Sequence, residues 1–203
     1  MNKWDERYSR EDYVYGREPN EFLVQVQPHI PMGRVLCLGE GEGRNAVFLA
    51  GRGYEVTAVD LSPVGLAKAE RLAAESGVKI RTIVADLSDF FIEPRAWQGI
   101  VSIFCHLEPA LRRRVHRACA EGLAEGGALV LEAFTPEQLR YGTGGPKSLE
   151  LLYSLKDLYE DFPELNFLIG QEKVCRRVEG LGHTGDAAVV QVLALQNGPL
   201  RVR

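Results

Sequence analysis

The sequence lacks the cysteine and histidine spacings that hold metals or build disulfide frameworks. Its four cysteines stand far apart without a C-x-x-C pair, and its four histidines are scattered singly without an H-E-x-x-H pair. Neither a zinc site nor a set of disulfides has this pattern. We therefore expect no metal, and we expect reduced thiols in a cytoplasm.

An excess of basic residues and long apolar runs are also missing. Lysine and arginine number 24 against 28 for aspartate and glutamate, and the net charge of −4 argues against a protein that grips nucleic-acid phosphates. No stretch approaches about 18 uncharged apolar residues, and the N-terminus is charged and aromatic where a signal peptide needs an apolar run. The sequence thus predicts a cytoplasmic protein with neither a membrane span nor a nucleic-acid partner.

What the chain does contain is the composition of a globular domain. Hydrophobic residues make up 45% and charged residues 26% of its 203 residues, which is enough for a sizeable core. No repeat or low-complexity tract divides the chain. Because a domain typically has about 150 residues, a chain of 203 residues is expected to form a single domain over residues 1–203.

Short apolar runs alternate with helical stretches along most of the chain. The runs predicted as strands are residues 35–38, 55–59, 80–84, 100–104 and 128–133, and the predicted helices are residues 45–52, 63–76 and 109–124. Ser62 and Pro63 form a helix start, with a serine N-cap followed by proline at the first helical position. Strands joined by helices in this rhythm form a parallel sheet covered on both faces, so the expected fold is α/β and doubly wound.

The pattern changes near the C-terminus. A helix is predicted around residues 154–162, and two strand-like runs, residues 173–179 and 187–196, flank the glycine-rich turn 180–185. Two strands joined by such a turn pair antiparallel. The last strands of the sheet are therefore expected to be antiparallel.

In a doubly wound sheet, the ligand lies past the carboxyl ends of the strands, where the strand order reverses. The first predicted strand ends in a G-x-G-x-G turn made by Gly39, Gly41 and Gly43, where missing β-carbons let backbone amides approach a ligand. Arg44 stands where the dinucleotide fingerprint G-x-G-x-x-G needs glycine, which argues against NAD. Asp60 closes the second strand, where a carboxylate can accept hydrogen bonds from both hydroxyls of a ribose.

Acidic residues at the strand ends also indicate the charge of the ligand. Asp86 closes the third strand, where it either reads the amine of an adenine ring beside Leu87 or only caps the segment 87–91. Glu40 and Glu42 lie in the glycine turn, where they would repel a pyrophosphate but not a cationic sulfonium that carries an amino group. These charges favour S-adenosylmethionine over a dinucleotide.

Together these motifs resemble class I S-adenosylmethionine-dependent methyltransferases, and within them the small tellurite-resistance-type and thiopurine-type branch. The resemblance covers nearly the whole chain and is carried by VLCLGEGEGRN at 35–45, VDLS at 59–62, ADL at 85–87 and LAEGGA at 123–128. It implies a Rossmann-like, mostly parallel sheet of seven strands with an antiparallel C-terminal strand. The departures are Cys37, where many members carry an acidic residue, and the two acids of the glycine turn.

The resemblance also assigns residues to the cofactor. The N-terminal segment 1–30 is similar to the family's lid, and Trp4, Tyr8 and Tyr15 would close over the sulfonium, since an aromatic face attracts a cation. The alternative is a helix that packs these rings onto the sheet. The other expected cofactor-binding residues are Gly39, Glu40, Gly41, Gly43, Asn45, Asp60, Leu61, Asp86 and Leu87.

The residues expected on the acceptor side follow the later strands. His106 stands just past the fourth strand and is either a catalytic general base or a structural histidine. The glycine-rich loop with Tyr141, Gly144 and Gly145 is either a mobile connection or a substrate lid. His183, in the C-terminal turn, is either a turn residue or a contact at the rim of the substrate site.

The sequence thus predicts an enzyme that moves a sulfonium methyl group to a small-molecule acceptor in one in-line displacement. Positioning and the exclusion of water account for such catalysis without a covalent residue, which agrees with the lack of a Ser/His/Asp or Cys/His set. A protein that binds S-adenosylmethionine without turning it over is the alternative. A nicotinamide-dependent oxidoreductase is a weaker one because of Arg44 and the acidic turn, and the oligomeric state is not readable.

Overall fold

Seven strands form one sheet in the computed structural model, which describes residues 2–180 and 182–197. The strands are β1 (Arg34–Leu38), β2 (Glu55–Asp60), β3 (Arg81–Val84), β4 (Trp97–Ile103), β5 (Leu123–Phe134), β6 (Leu165–Glu179) and β7 (His183–Gln196). The helices are α1 (Lys3–Tyr8), α2 (Glu21–Val26), α3 (Arg44–Gly51), α4 (Pro63–Glu75), α5 (Pro109–Gly122) and α6 (Leu155–Asp161). Met1 of the predicted lid, Leu181 of the predicted turn and residues 198–203 of the predicted domain lie outside the described residues. None of the helices in the described ranges combines the length and apolarity that a membrane crossing requires.

The strands follow the order β3-β2-β1-β4-β5-β7-β6 across the sheet. Neighbours among β1 to β5 pair in parallel, whereas β7 pairs antiparallel with both β5 and β6. The prediction of a doubly wound, mostly parallel seven-stranded sheet with an antiparallel C-terminal strand is confirmed. Because the chain order reverses between β1 and β4, a ligand crevice is expected past Leu38, the last residue of β1.

Both faces of the sheet are buried, and β1 shows how the sequence achieves this. Leu36 packs on one face in a cluster with Val115 of α5, whereas Val35 and Cys37 pack on the other in a cluster with Leu49 of α3. Adjacent residues of a strand point to opposite faces, so a continuous apolar run fills two cores at once. Full burial of each such side chain stabilises the fold by roughly 1.5–3 kcal/mol.

The helix starts beside the crevice follow from local sequence. The Ser62 hydroxyl accepts a hydrogen bond from the Gly65 N–H and caps α4, with Pro63 in the first turn. Gly43, the N-cap of α3, has a φ of 90°, in the left-handed region that favours glycine. A β-carbon at residue 43 would also overlap Ala69 of α4, so this glycine sets how closely α3 and α4 pack.

Some element boundaries differ from the sequence prediction. Helix α5 ends at Gly122 rather than at residue 124, because Leu123 already pairs with Trp97 of β4 and begins β5. Strand β6 begins at Leu165, well before the predicted residue 173. Its first half contains a short apolar run at residues 167–169, but Asn166 and Gly170, which are weak strand formers, border that run, and its side chains are only partly buried.

Candidate active site

A large cleft opens past the carboxyl ends of the parallel strands. It encloses about 990 Å³ and is lined by Gly39 after β1 and by Phe104 after β4, on the two sides of the point where the strand order reverses. Trp4 of α1 and Gly145 of the loop after β5 also line it. Ligand pockets span about 300–1,000 Å³, so the cleft has room for a nucleoside cofactor and a second small molecule.

The structure brings ten of the twelve predicted cofactor-binding residues to this cleft. Gly41 and Gly43 do not line the cleft, and they instead allow neighbouring elements to pack closely against the glycine turn. A β-carbon at Gly41 would lie 2.6 Å from the Tyr8 hydroxyl, so this glycine lets the tyrosine ring lie on the turn. The ten that line the cleft are Trp4, Tyr8, Tyr15, Gly39, Glu40, Asn45, Asp60, Leu61, Asp86 and Leu87.

Glu40 occupies the N-terminus of α3. Its Oε1 accepts hydrogen bonds from the backbone amides of Asn45 at 3.0 Å and Ala46 at 2.8 Å. Burial raises the pKa of this carboxyl to about 7, against the opposing effect of these two amides. The amides that would bind a phosphate at a helix N-terminus are therefore already taken by a carboxylate.

Asp60, at the end of β2, is held by the glycine turn and by its own strand end. Its Oδ2 accepts from the Gly41 amide and its Oδ1 from the Ser62 amide, both at 2.8 Å. Burial raises the pKa of the carboxyl, and these backbone hydrogen bonds oppose that effect. Each oxygen keeps a lone pair that can accept a further hydrogen bond from a ligand.

Glu42 has a different role from the one its position beside Glu40 indicates. Its carboxylate forms a buried ion pair with Lys68 at 2.5 Å and accepts the Val14 amide at 2.8 Å. The Lys68 ammonium also donates to the carbonyls of Arg10 at 2.9 Å and Asp12 at 2.7 Å. The charge of Glu42, which also lines the cleft, is thus paired with Lys68 and holds the N-terminal segment in place.

The predicted lid segment has two parts. Residues 2–18 are fastened over the cleft chiefly by polar contacts such as those of Lys68, and the Asp5 carboxylate accepts from the Ser62 hydroxyl at 2.6 Å. Residues 21–30 instead belong to the core, where Phe22, Leu23 and Ile30 are buried.

Asp86 is placed where it can cap the following turn and still face the cleft. It lines the cleft, and its Oδ1 accepts from the Ser88 amide at 2.8 Å, which caps the following turn. These hydrogen bonds from Ser88 lower the pKa of the exposed Asp86 carboxyl. A local cap and a ligand contact are compatible, because the second carboxylate oxygen stays available.

On the acceptor side, His106, Gly145 and His183 line the cleft, whereas Tyr141 and Gly144 do not. Hydrogen bonds from Gln138 to the Thr143 hydroxyl at 3.0 Å and the Gly144 carbonyl at 3.2 Å turn the loop. The loop therefore reaches the cleft only from residue 145 onward. A β-carbon at residue 145 would lie 2.7 Å from the Phe134 ring, so glycine lets the loop backbone lie on that ring.

The two histidines of the cleft differ in what their nitrogens contact. His106 Nδ1 lies 2.6 Å from the Leu151 carbonyl oxygen, and Nε2 lies 3.5 Å from the Phe134 amide. Burial lowers the pKa of His106 to about 4, so the ring is neutral at physiological pH. His183 instead directs Nδ1 to the Glu179 carboxylate at 2.9 Å.

Sequence reasoning missed Phe104, Phe134 and Glu179 as residues of the site. Phe104 ends the predicted fourth strand, so the rule that ligands lie past the carboxyl ends of the strands could have found it. Its φ of 54° is strained for an aromatic residue. Glu179 meets His183 across the end of the β6–β7 hairpin, four residues away in sequence, so the predicted glycine-rich turn between two antiparallel strands could have indicated this pair.

Comparisons with known proteins agree with this geometry. The family model that describes a methyltransferase domain matches residues 35–127. The chain is 28% identical over 141 residues to the 2-heptyl-1-hydroxyquinolin-4(1H)-one methyltransferase of Mycobacteroides abscessus, covering 68% of this chain and 62% of that protein's length. It is 29% identical over 169 residues to the ubiquinone biosynthesis O-methyltransferase of Xanthomonas campestris pv. campestris, covering 79% of this chain and 70% of that protein.

Solved structures share the whole architecture. TehB from Haemophilus influenzae has a TM-score of 0.72 at 20% identity and covers 96% of this chain and 66% of its own. An S-adenosylmethionine-dependent methyltransferase from Clostridium acetobutylicum has a TM-score of 0.67 at 17% identity, covering 88% of this chain and 90% of its own. The family model thus covers slightly under half of the chain, and these solved structures confirm the predicted Rossmann-like α/β fold.

Proposed function

We propose that this protein transfers the methyl group of S-adenosylmethionine to a small-molecule acceptor. Residues 1–203 act as a single methyltransferase domain, with residues 1–30 as its lid segment. The observation that carries the proposal is Glu40 at the N-terminus of α3, whose carboxylate takes the amides of Asn45 and Ala46. A pyrophosphate would meet this carboxylate where a dinucleotide-binding fold offers free amides, whereas a cationic amino acid end suits it.

Different residues of the cleft are proposed to contact different parts of this cofactor. When bound, S-adenosylmethionine supplies an electrophilic methyl group on a positively charged sulfur. The Asp60 carboxylate would accept hydrogen bonds from the ribose hydroxyls, and the Glu40 carboxylate would accept them from the amino group. Asp86 and Leu87 would contact the adenine ring. The aromatic rings of the lid cover the sulfonium. The residues proposed to contact the cofactor are Trp4, Tyr8, Tyr15, Gly39, Glu40, Asn45, Asp60, Leu61, Asp86 and Leu87.

The acceptor is proposed to be a flat, ring-bearing molecule with a hydroxyl group. The acceptor end of the cleft is built from rings, since Phe104 and Phe134 lie 4.5 Å apart between centroids and Phe134 and His183 lie 5.0 Å apart. Such faces and edges favour stacking with an aromatic acceptor. The names of both curated relatives also refer to ring-bearing compounds. His106, Gly145 and His183 contact the acceptor, and Gly144 and Tyr141 only shape the loop.

A second candidate acceptor is an oxyanion of tellurium or selenium, which corresponds to the tellurite-resistance-type and thiopurine-type branch. Lys3, Arg7 and Lys147 line the cleft, and none of them forms an ion pair within residues 2–180 and 182–197. Cations of this kind attract an anionic acceptor. The likeness of the fold to TehB supports the same branch.

The protein is proposed to act in the cytoplasm, without a nucleic-acid or membrane partner. Cys37, Cys105, Cys119 and Cys175 are all free thiols, as suits a reducing compartment. Positioning of the reactants contributes up to roughly 7–11 kcal/mol to lowering the barrier and needs no covalent residue.

The proposal is tested by a panel of acceptors, scored by the formation of S-adenosylhomocysteine from S-adenosylmethionine. The panel contains compounds with ring hydroxyls, thiols, tellurite and selenite. We expect S-adenosylhomocysteine to form with a ring hydroxyl compound. If it forms only with tellurite or selenite, the oxyanion is the acceptor. Binding of S-adenosylhomocysteine without turnover in any arm would favour the non-catalytic module.

A further inference from the structure

We propose that His183 is the general base of this methyl transfer and that Glu179 holds its imidazole in the reactive orientation. This inference rests on the proposed function and deepens it by naming the residue that takes the acceptor's proton. It reassigns the base role from His106, which the sequence indicates first, to a residue at the start of β7.

The hairpin of β6 and β7 creates the pair. Its register sets Glu179 directly across from His183, and Glu179 Oε2 lies 2.9 Å from His183 Nδ1. An ionised carboxylate only accepts hydrogen bonds, so Nδ1 carries the proton and Nε2 keeps the lone pair. That is the tautomer a base needs if its Nε2 faces the reacting molecule.

Glu179 is kept ionised by its surroundings. Arg44 donates to the same Oε2 at 3.0 Å, and the Asn20 amide donates to Oε1 at 3.3 Å. Burial alone would raise the pKa of Glu179, but the hydrogen bond from His183 and the Arg44 guanidinium hold that pKa at about 2. A permanent carboxylate stabilises the imidazolium that forms when His183 takes a proton.

The rest of the site presents His183 to the cleft. Its ring lies between those of Tyr15, Phe104 and Phe134, with centroids 4.8, 4.7 and 5.0 Å away. Within residues 2–180 and 182–197, no group hydrogen-bonds Nε2, and the residue lines the cleft. A β-carbon at Gly144 would lie 2.9 Å from His183 Cδ2, so this glycine lets the loop lie against the ring edge.

His106 does not offer a free nitrogen in the same way. Its Nδ1 donates to the Leu151 carbonyl and its Nε2 faces the Phe134 amide, so both ring nitrogens are engaged by backbone. Its ring is also nearly parallel to that of Phe134, with an angle of 9° between the planes. These contacts fit a pocket wall that ties the ends of β4 and β5 to the following loop.

The proton balance of the step is simple. The O–H bond of the acceptor breaks and its proton forms an N–H bond at His183 Nε2, giving an imidazolium beside Glu179. The oxygen keeps the electron pair and uses it for the new bond to the methyl carbon, while the pair of the broken carbon–sulfur bond stays on sulfur. The proton on His183 then leaves to water.

Two measurements test the proposal, and the first needs no turnover. Nitrogen-detected imidazole NMR of the full chain with S-adenosylhomocysteine, assigned with His183→Gln and His106→Gln, reports which ring nitrogen of His183 carries the proton. The Nδ1–H tautomer is expected, with a signal that changes in Glu179→Gln. An Nε2–H tautomer would overturn the proposal whether or not an acceptor is known.

The second measurement uses acceptor acidity as its readout. At pH 8, an electron-poor phenol that is already ionised needs no base, whereas unsubstituted phenol does. His183→Gln is expected to lower kcat/KM for phenol by about 10²-fold or more while changing that for the ionised phenol little. His106→Gln should affect both phenols alike, and exposed His29→Gln should affect neither.

The pH profile gives a further readout of the same step. Burial lowers the pKa of His183, against the effect of Glu179, so the acid limb for phenol should lie below the ordinary histidine value of 6.5. The charged and titratable groups around the ring are Glu179, Arg44, Arg7, Tyr15 and His106. If His183→Gln lowers kcat/KM equally for both phenols, the residue only shapes the pocket and is not the base. Absence of turnover with either phenol would count against the acceptor class, and the NMR tautomer would then decide the base.

Discussion

Glu40 is a buried carboxylate whose charge depends on what lies in the cleft. Its pKa of about 7 means that it is part protonated in the free protein at neutral pH. A bound ammonium group favours the carboxylate, so binding releases a proton. We expect the affinity for S-adenosylhomocysteine to rise by up to about tenfold per pH unit below 7 and to level off above it.

Calorimetry between pH 5.5 and 8.5 checks this expectation. In Glu40→Gln, the amide oxygen still accepts from the Asn45 and Ala46 amides, so the fold is retained while the titrating charge is lost. That variant should show a flat and weaker affinity over the same range. An equally steep profile in the variant would assign the proton to another group.

Replacement of Asp60 tests the second contact with the cofactor, and part of its effect falls on the turn itself, because the amide nitrogen of asparagine would face the N–H of either Gly41 or Ser62. Asp60→Asn should weaken S-adenosylhomocysteine by about 1.5–3 kcal/mol, or roughly 10- to 150-fold, because the ribose loses hydrogen bonds to a charged acceptor. Titration calorimetry measures the affinity, and circular dichroism checks the fold. Exposed Asp89→Asn is the control, with unchanged affinity. Wild-type affinity in Asp60→Asn would remove this residue from the site.

At the scale of elements, the Lys68 ammonium makes the largest set of polar contacts among those described for the N-terminal segment, beside the Asp5–Ser62 hydrogen bond. Lys68 joins Glu42 to the carbonyls of Arg10 and Asp12, so Lys68→Met leaves a buried carboxylate unpaired. Breaking such a pair costs about 3–5 kcal/mol where the segment cannot move. We expect residues 2–18 to detach instead, losing hydrogen-exchange protection while β1 and β4 keep theirs.

The control for this variant is Lys156→Met, which removes an exposed lysine paired with Glu160 at 3.8 Å. It should leave the exchange of residues 2–18 unchanged. Loss of protection throughout the sheet in Lys68→Met would mean that the segment is part of the core and not a lid.

The lid also predicts a response to ligand. Lids draw on the least stable parts of a fold, so S-adenosylhomocysteine should slow hydrogen exchange across residues 2–20 more than across 21–30, which already pack in the core. If hydrogen exchange of residues 2–20 is equally slow with and without the ligand, Trp4, Tyr8 and Tyr15 have only a structural role.

The sequence predicts elements best where apolar runs and caps are local. The ends of β1 at Leu38 and of β2 at Asp60, and the capping of α4 by Ser62, follow from such signals. The first half of β6 does not, because its short apolar run at residues 167–169 is bordered by Asn166 and Gly170, which are weak strand formers. Glu42 shows a different limit, since nothing near it in sequence indicates that its partner is Lys68, 26 residues later.

At the scale of the molecule, the strand order accounts for where the chemistry lies. The order and the paired strand ends follow from alternating strands and helices, and they bring Gly39, Asp60 and His106 to one cleft. The Glu179–His183 pair lies at the end of the β6–β7 hairpin, four residues apart in sequence, where the turn sets the register of the two strands. Residues at strand ends are therefore predictable here, whereas ion pairs that join distant elements, such as Glu42–Lys68 and Arg44–Glu179, are not.

The most direct test of the central claim is a pair of calorimetric titrations of the purified protein at pH 8, one with S-adenosylhomocysteine and one with NADH. The account predicts saturable one-to-one binding of S-adenosylhomocysteine and no heat of binding with NADH, because the Glu40 carboxylate occupies the amides that a pyrophosphate would need. Binding of NADH, or no binding of S-adenosylhomocysteine, would contradict it.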